Sequence, residues 1–338
     1  MEKSYKFTNF ILKYLLLFIS LIIIIFGILS IFITGYFETT YNATPEVTHF
    51  KYSFGIVEIV GAALLIIIIY LISNKLLNKV SSKYVLIAIS IISFLAFILW
   101  INILKLEPID DQRKIHEIAL DMAFGNIQYH FTIPQYLFLY PYQLGIIYFV
   151  SLIYKIFGDN FLFFEYFNAI CSITNIVLIY LISKELFNNK TLQKYLCILL
   201  AGFAIYFMFF NVFFYGNISG LTFALISLLF AIKYLNTHKY INIFITGISI
   251  SISILLKTNY NIFLCGIVIV LIVDIINKFE LKKVLSLIVL ICGYLIISIS
   301  YNLIMDLKYD ITFPDGVPMI NFIYMGMSDR ELIYPRLV

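Results

Sequence analysis

Nine apolar runs, each near the ~20 residues an α-helix needs to cross a bilayer, follow one another along the chain with short polar turns between them. In lipid every backbone N–H and C=O must find its partner within the protein, so runs of this length are read as helices. Composition agrees: 62% of the 338 residues are hydrophobic and 12% are charged, against about 45–50% and about 25% in soluble domains. A soluble globular fold would leave far too much apolar surface in water and is excluded. The sequence predicts an all-α polytopic membrane protein with about nine transmembrane helices and the lipid bilayer as its first partner.

The expected spans are roughly 10–35, 55–73, 84–104, 160–183, 195–213, 217–235, 240–256, 260–278 and 284–302. The basic start MEKSYK precedes a run too long for a signal peptide and without a small-residue cleavage site, so the first helix is expected to stay uncleaved with its N-terminus in the cytoplasm. Lys75, Lys79 and Lys83, then Lys184, Lys190 and Lys194, then Lys278, Lys282 and Lys283 mark cytoplasmic turns by the positive-inside rule. The run 142–157 is short for a span, and letting it cross would carry the second lysine group outside, so it is expected to lie in or dip into the outer interface. This divides the chain into three N-terminal helices (1–104), an extracytoplasmic loop with interfacial helices (105–158), a helix bundle (159–303) and an extracytoplasmic tail (304–338). The sequon at Asn42, Ala43 and Thr44 carries no weight in so Asn-rich a sequence.

The net charge of +4 comes without a basic cluster interleaved with aromatics, so nucleic acid is not an expected partner. The four cysteines lie inside apolar runs without CxxC or Cys/His spacing and read as small core residues. The bias toward Ile, Lys, Asn, Tyr and Phe over Arg suits an AT-rich bacterial genome.

In the long outer loop, Ile115, Ile118, Ala119 and Met122 recur at helical spacing while Lys114, Glu117 and Asp121 fall on another face, which predicts an amphipathic helix along the membrane surface. Asp110 and Asp111 stand just before it. One of them could cap the helix, or a carboxylate at this boundary could act as general base or metal ligand for a lipid-linked substrate. Arg113, Lys114, Lys155 and Lys257 are the cations expected at the outer headgroups, and snorkelling accounts equally for Lys155 and Lys257 taken singly. His116 and His130 share the loop and could assist proton transfer or bind a metal, although they lack paired ligand spacing. Glu165, Asn168, Ser172 and Asn175 form one polar stripe down a single span, which should face the bundle interior.

Several segments resemble bacterial integral-membrane glycosyltransferases of the GT-C fold, of the protein-mannosyltransferase or glycosyltransferase family 39 type. They are PIDDQRKIHEIALDM, QYLFLYPYQLGIIYFVSLIYKIFG, FNAICSITNIVLIYLISKELF, FYGNISGLTFALISLLFAIKYL, GISISISILLKTNYNIFL and PMINFIYMGM, in order over roughly 100–330. The resemblance implies transfer of a sugar from a polyprenyl-phosphate donor to an extracytoplasmic glycan, lipid or protein at the plasma membrane. It implies Asp111 as the catalytic carboxylate, with Asp110 second, and favours Lys257 for the donor phosphate because LLKTN belongs to the matching string. Arg113, Lys155, Glu165 and His116 are further substrate-binding candidates. No cofactor is certain, and a divalent metal is left open. Where relatives often carry an acid in a later outer turn, this chain has Asn217, which weakens the expectation of a metal.

Two other readings compete. A transporter or flippase of lipid-linked saccharide would be built from internal repeats meeting at the midplane, and no repeat is visible here. An inactive or truncated membrane protein is the other, since the sequence stops soon after MGM.

Overall fold

A computed structural model describes residues 2–37, 48–52, 55–77, 79–187, 190–311, 314–318 and 320–321. Residues 42–44 and the MGM segment therefore lie outside the described residues. The chain divides into two compact units, Met1–Leu71 with Pro318–Val338, and Ile72–Val317. The first contains α1 (Glu2–Phe32), an antiparallel pair β1 (Ile33–Phe37) and β2 (Thr48–Tyr52), and most of α2 (Ile56–Leu76).

The second unit is helical: α3 (Ser82–Leu104), α4 (Asp110–Phe124), α5 (Tyr136–Leu139), α6 (Leu144–Phe157), α7 (Leu162–Phe187), α8 (Thr191–Gly202), α9 (Ile205–Asn211), α10 (Asn217–Thr237), α11 (Tyr240–Leu256), α12 (Asn261–Asn277) and α13 (Leu281–Tyr309). Among the described residues seven helices are long and apolar enough to cross a membrane, with α8 and α9 together making one span, Thr191–Asn211. Helix α11 and the apolar stretch Leu17–Ser30 of α1 are shorter than that length. The all-α polytopic architecture predicted by the sequence is what the chain adopts.

Helix α4 buries Ile115, Ile118, Ala119 and Met122, the apolar stripe that its sequence sets out. The stripe packs on α6, whose Leu144, Ile146, Ile147, Val150 and Tyr154 join the same buried cluster. The amphipathic helix expected along the membrane surface thus lays its apolar stripe on α6, which supplies a matching apolar surface. Local chemistry sets both ends of α6. Pro141 opens it through a 3-10 turn, where a missing N–H costs nothing. Gly158 closes it at φ 81°, a left-handed conformation that suits glycine. Gly145 lets α6 touch α11: an added Cβ would stand 2.0 Å from the Leu255 carbonyl oxygen.

Two ends of this unit can be told apart by their contacts. At one end, Tyr195 donates to the Val80 carbonyl, Ser82 meets Tyr180, Asn236 meets Glu185 and Tyr240 donates to the Lys282 carbonyl. The lysine-rich turns all fall there, including Lys283, paired at 2.7 Å with Asp274. The opposite end holds α4, the loop 125–143, and the turns before α7, α10 and α12.

Candidate active site at the acidic end

The start of α4 is fixed from two sides. Gln112 accepts a hydrogen bond from the backbone N–H of Phe214 at 2.6 Å. His116, one turn further, packs edge-on against Tyr154, Phe161 and Phe214. Together they clamp α4 onto the turn between α9 and α10. One result is the contact at Asp111, whose Oδ2 accepts a hydrogen bond from the Tyr215 hydroxyl at 2.9 Å.

The same turn meets the end of α11. Gly216 makes this approach feasible, since a Cβ there would lie 2.0 Å from the Leu256 carbonyl oxygen. Lys257 follows directly, and its Nζ lies 4.3 Å from the centre of the Tyr215 ring. Burial holds the Lys257 ammonium below the usual lysine range, with the Asp111 charge pulling the other way. Tyr215 and Tyr136 are both pushed above the usual phenol range, chiefly by burial; Tyr136 and Asp111 push Tyr215 up further, while Asp111 raises Tyr136 and its hydrogen bond with Tyr215 pulls it back. Tyr136 adjoins Tyr140, and Tyr140 adjoins Tyr142, at ring separations of 5.1 and 6.1 Å. An exposed carboxylate therefore stands beside a buried phenol, a half-buried ammonium and a tyrosine-lined wall.

Asp110 is exposed and lies in the left-handed region at φ 48°, which aspartate visits more readily than most non-glycine residues. The capping expectation is not met by side chains: Ile109 occupies the N-cap, and no side-chain bond is made there.

The remaining sequence candidates are held elsewhere. Arg113 donates through Nε to the Pro108 carbonyl at 3.4 Å, and Lys114 pairs with Glu117 at 3.0 Å. Lys155 donates to the Tyr309 hydroxyl at 3.1 Å. His116 Nδ1 is 2.6 Å from the Tyr154 hydroxyl and its Nε2 is 4.0 Å from Asp159. Burial holds its imidazole below the ordinary histidine range against the opposing pull of Asp159 and Glu117. His130 bonds Asp121 at 2.6 Å. Glu165 is buried within the bundle at the first turn of α7. Among the described residues no group of three or more His, Cys, Asp and Glu converges on a point where a metal ion could bind.

Tyr215, Tyr136 and Gln112 escape a reading of charge and spacing, since aromatic residues abound and none of the three is a charged outlier. The FYGN string between two apolar runs is the signal for Tyr215, while Gln112 and Tyr136 stand in the resembling strings PIDDQRKIHEIALDM and QYLFLYP without marking themselves out.

Residues 143–301 match the sequence model of the family described as dolichyl-phosphate-mannose-protein mannosyltransferase. The match covers a little under half of the chain. It contains Lys155, Glu165, Tyr215 and Lys257, while α4 with its aspartates precedes it. No curated protein matches, and no solved structure does. The family match supports a membrane glycosyltransferase of the GT-C type, in agreement with the resemblance carried by the sequence.

Proposed function

We propose that this membrane glycosyltransferase transfers a sugar from a polyprenyl-phosphate-linked donor to an extracytoplasmic glycan, lipid or protein at a bacterial plasma membrane. The observation that carries the reading is the meeting of Asp111, Tyr215 and Lys257 at one end of the bundle.

An acceptor hydroxyl is a weak nucleophile, and a carboxylate within hydrogen-bond reach takes its proton as the anomeric carbon is attacked. Asp111 is that base. The Tyr215 hydroxyl holds one carboxylate oxygen, which orients the other toward the acceptor. The bond from the anomeric carbon to the phosphate oxygen then breaks, and the phosphate leaves with that electron pair. Lys257, partly desolvated, is the cation that stabilises this departing charge, because burial strengthens a charge–charge interaction. Asp110 lies next to the base and is a second contact for the acceptor. Arg113 and Lys155 serve the outer headgroups, and His116 serves the wall of the site.

The donor's lipid tail has a matching environment. A cavity of about 380 Å³ lies between α10 and α12, lined by apolar side chains that include Leu228, Leu235, Phe263 and Leu271. Pockets that bury most of an apolar ligand are of this size. Among the described residues no three His, Cys, Asp or Glu side chains converge at Asp111, and no step is assigned to a divalent ion.

The test is release of polyprenyl phosphate from labelled polyprenyl-phosphate sugars by purified protein, comparing Asp111→Asn with Asp110→Asn. Losing the general base should lower turnover about 10²–10⁴-fold in Asp111→Asn, with Asp110→Asn less affected and both variants inserted and folded. Wild-type turnover in Asp111→Asn overturns the site assignment. Absence of release by the wild type with all common sugars overturns the reaction and returns weight to a transporter.

A further inference from the structure

The polar stripe of α7 ends in atoms that lack partners. Glu165 is 1% exposed and its Oε2 has no hydrogen-bond partner. Three residues on, and so on the same helix face, Asn168 is fully buried with its Oδ1 unpaired. Its amide reaches only the Asn211 carbonyl, at 3.3 Å. Ser172 donates to Oδ1 of the same Asn211 at 2.6 Å. Buried polar atoms in proteins are nearly always bonded, so unpaired atoms gathered on one face point to something that completes them.

The character of the unpaired atoms says what that is. The unpaired atoms of Glu165 and Asn168 are oxygens, Oε2 and Oδ1, and across the α7–α9 contact Asn211 keeps one unpaired donor, Nδ2. The backbone adds more oxygen, because α9 ends at Asn211 and the last carbonyls of a helix have no partners within it. No Lys, Arg or His pairs with the Glu165 carboxyl among the described residues. The neighbouring groups are the phenol of Tyr154, which feels the Glu165 charge, and behind it His116. A divalent ion would want several carboxylates or a full water shell. One carboxylate with amide and carbonyl oxygens matches a monovalent ion, as at the ends of broken helices in membrane proteins.

We propose that Glu165 and Asn168 of α7, with the Asn211 carbonyl that ends α9, bind a monovalent alkali cation inside the bundle. The turn bearing Tyr215 begins just after Asn211, so the ion braces the support of the Asp111 cluster. The site does not depend on the transfer reaction, and its test does not read activity.

The experiment follows thermal unfolding of the purified full chain in detergent, with a divalent chelator present. Choline chloride is replaced stepwise by lithium, sodium or potassium chloride at constant ionic strength. At least one alkali ion should raise the midpoint in a saturable way that choline does not reproduce. Glu165→Gln should weaken that response at least tenfold, and Asn168→Asp, which adds a carboxylate, should lower the half-saturating concentration at least fivefold. The Asn168→Asp measurement stands by itself if Glu165→Gln does not fold. Equal midpoints in choline and in every alkali salt, an unchanged response in Glu165→Gln, or an unchanged half-saturation in Asn168→Asp each overturn the proposal.

Discussion

Single side chains decide how the candidate site is held. Tyr215 has a separable role, because its ring carries Lys257 and its hydroxyl carries Asp111. Tyr215→Phe keeps the ring and removes the hydroxyl, and a hydrogen bond to a charged group is worth about 1.5–3 kcal/mol. Turnover should therefore fall by about one to two orders of magnitude, with KM for the lipid donor little changed, since Lys257 keeps its seat. A loss confined to KM would show that the hydroxyl binds the donor and leaves the base alone. His116 gives a pH signature of its own. Its folded pKa lies below the unfolded value because burial disfavours the imidazolium, so the unfolded chain takes up a proton first as pH falls. The stability that neutral His116 contributes is whole above the unfolded value of about 6.5 and is lost on acidification below it. Between pH 7.5 and 5, the wild-type unfolding midpoint should fall more steeply than that of His116→Gln. Parallel profiles would mean that His116 does not titrate across folding.

Among the elements, the close approaches of backbone to backbone place the site, and glycines mark them. Gly216→Ala would push the Tyr215 turn away from Leu256 and so from Lys257. It should destabilise the protein by about 1–3 kcal/mol, the usual cost of forcing atoms into a packed contact, and should also reduce turnover. Gly61→Ala is the control, since nothing lies within 4 Å of the added carbon, and it should leave the unfolding midpoint unchanged or slightly raised. Equal effects of the two would show that the Gly216 contact is not tight in solution. These contacts also explain what could be read in advance. Helices and their order were legible because each apolar run is bounded by polar turns, and the buried face of α4 was legible because its period is that of a helix. The partner of that face was not, since periodicity gives a direction and no identity. The break at 203–204 within one span, and the joining of Asp111 to Tyr215 across 104 positions, follow from tertiary packing that hydropathy does not encode.

At the scale of the whole molecule, charge and chemistry separate along the helix axes. The lysine-bearing turns share one end, tied together by the Tyr195–Val80, Ser82–Tyr180 and Tyr240–Lys282 bonds. Asp110, Asp111, Asp121 and Asp159 share the other with Tyr215 and Lys257. Lysines left on one side of a bilayer set the orientation of the whole chain, so the acidic end should face outward, where the membrane potential does not oppose exposed carboxylates. A cysteine-free background carrying either Asn126→Cys, in the exposed turn after α4, or His238→Cys, between α10 and α11, tests this directly. An impermeant maleimide should label the first in intact cells and the second only after permeabilisation. The reverse pattern would put the Asp111 cluster in the cytoplasm, where soluble nucleotide sugars are at hand. An outward cluster has no such supply, and a donor that crosses with its lipid carrier is then what its chemistry requires.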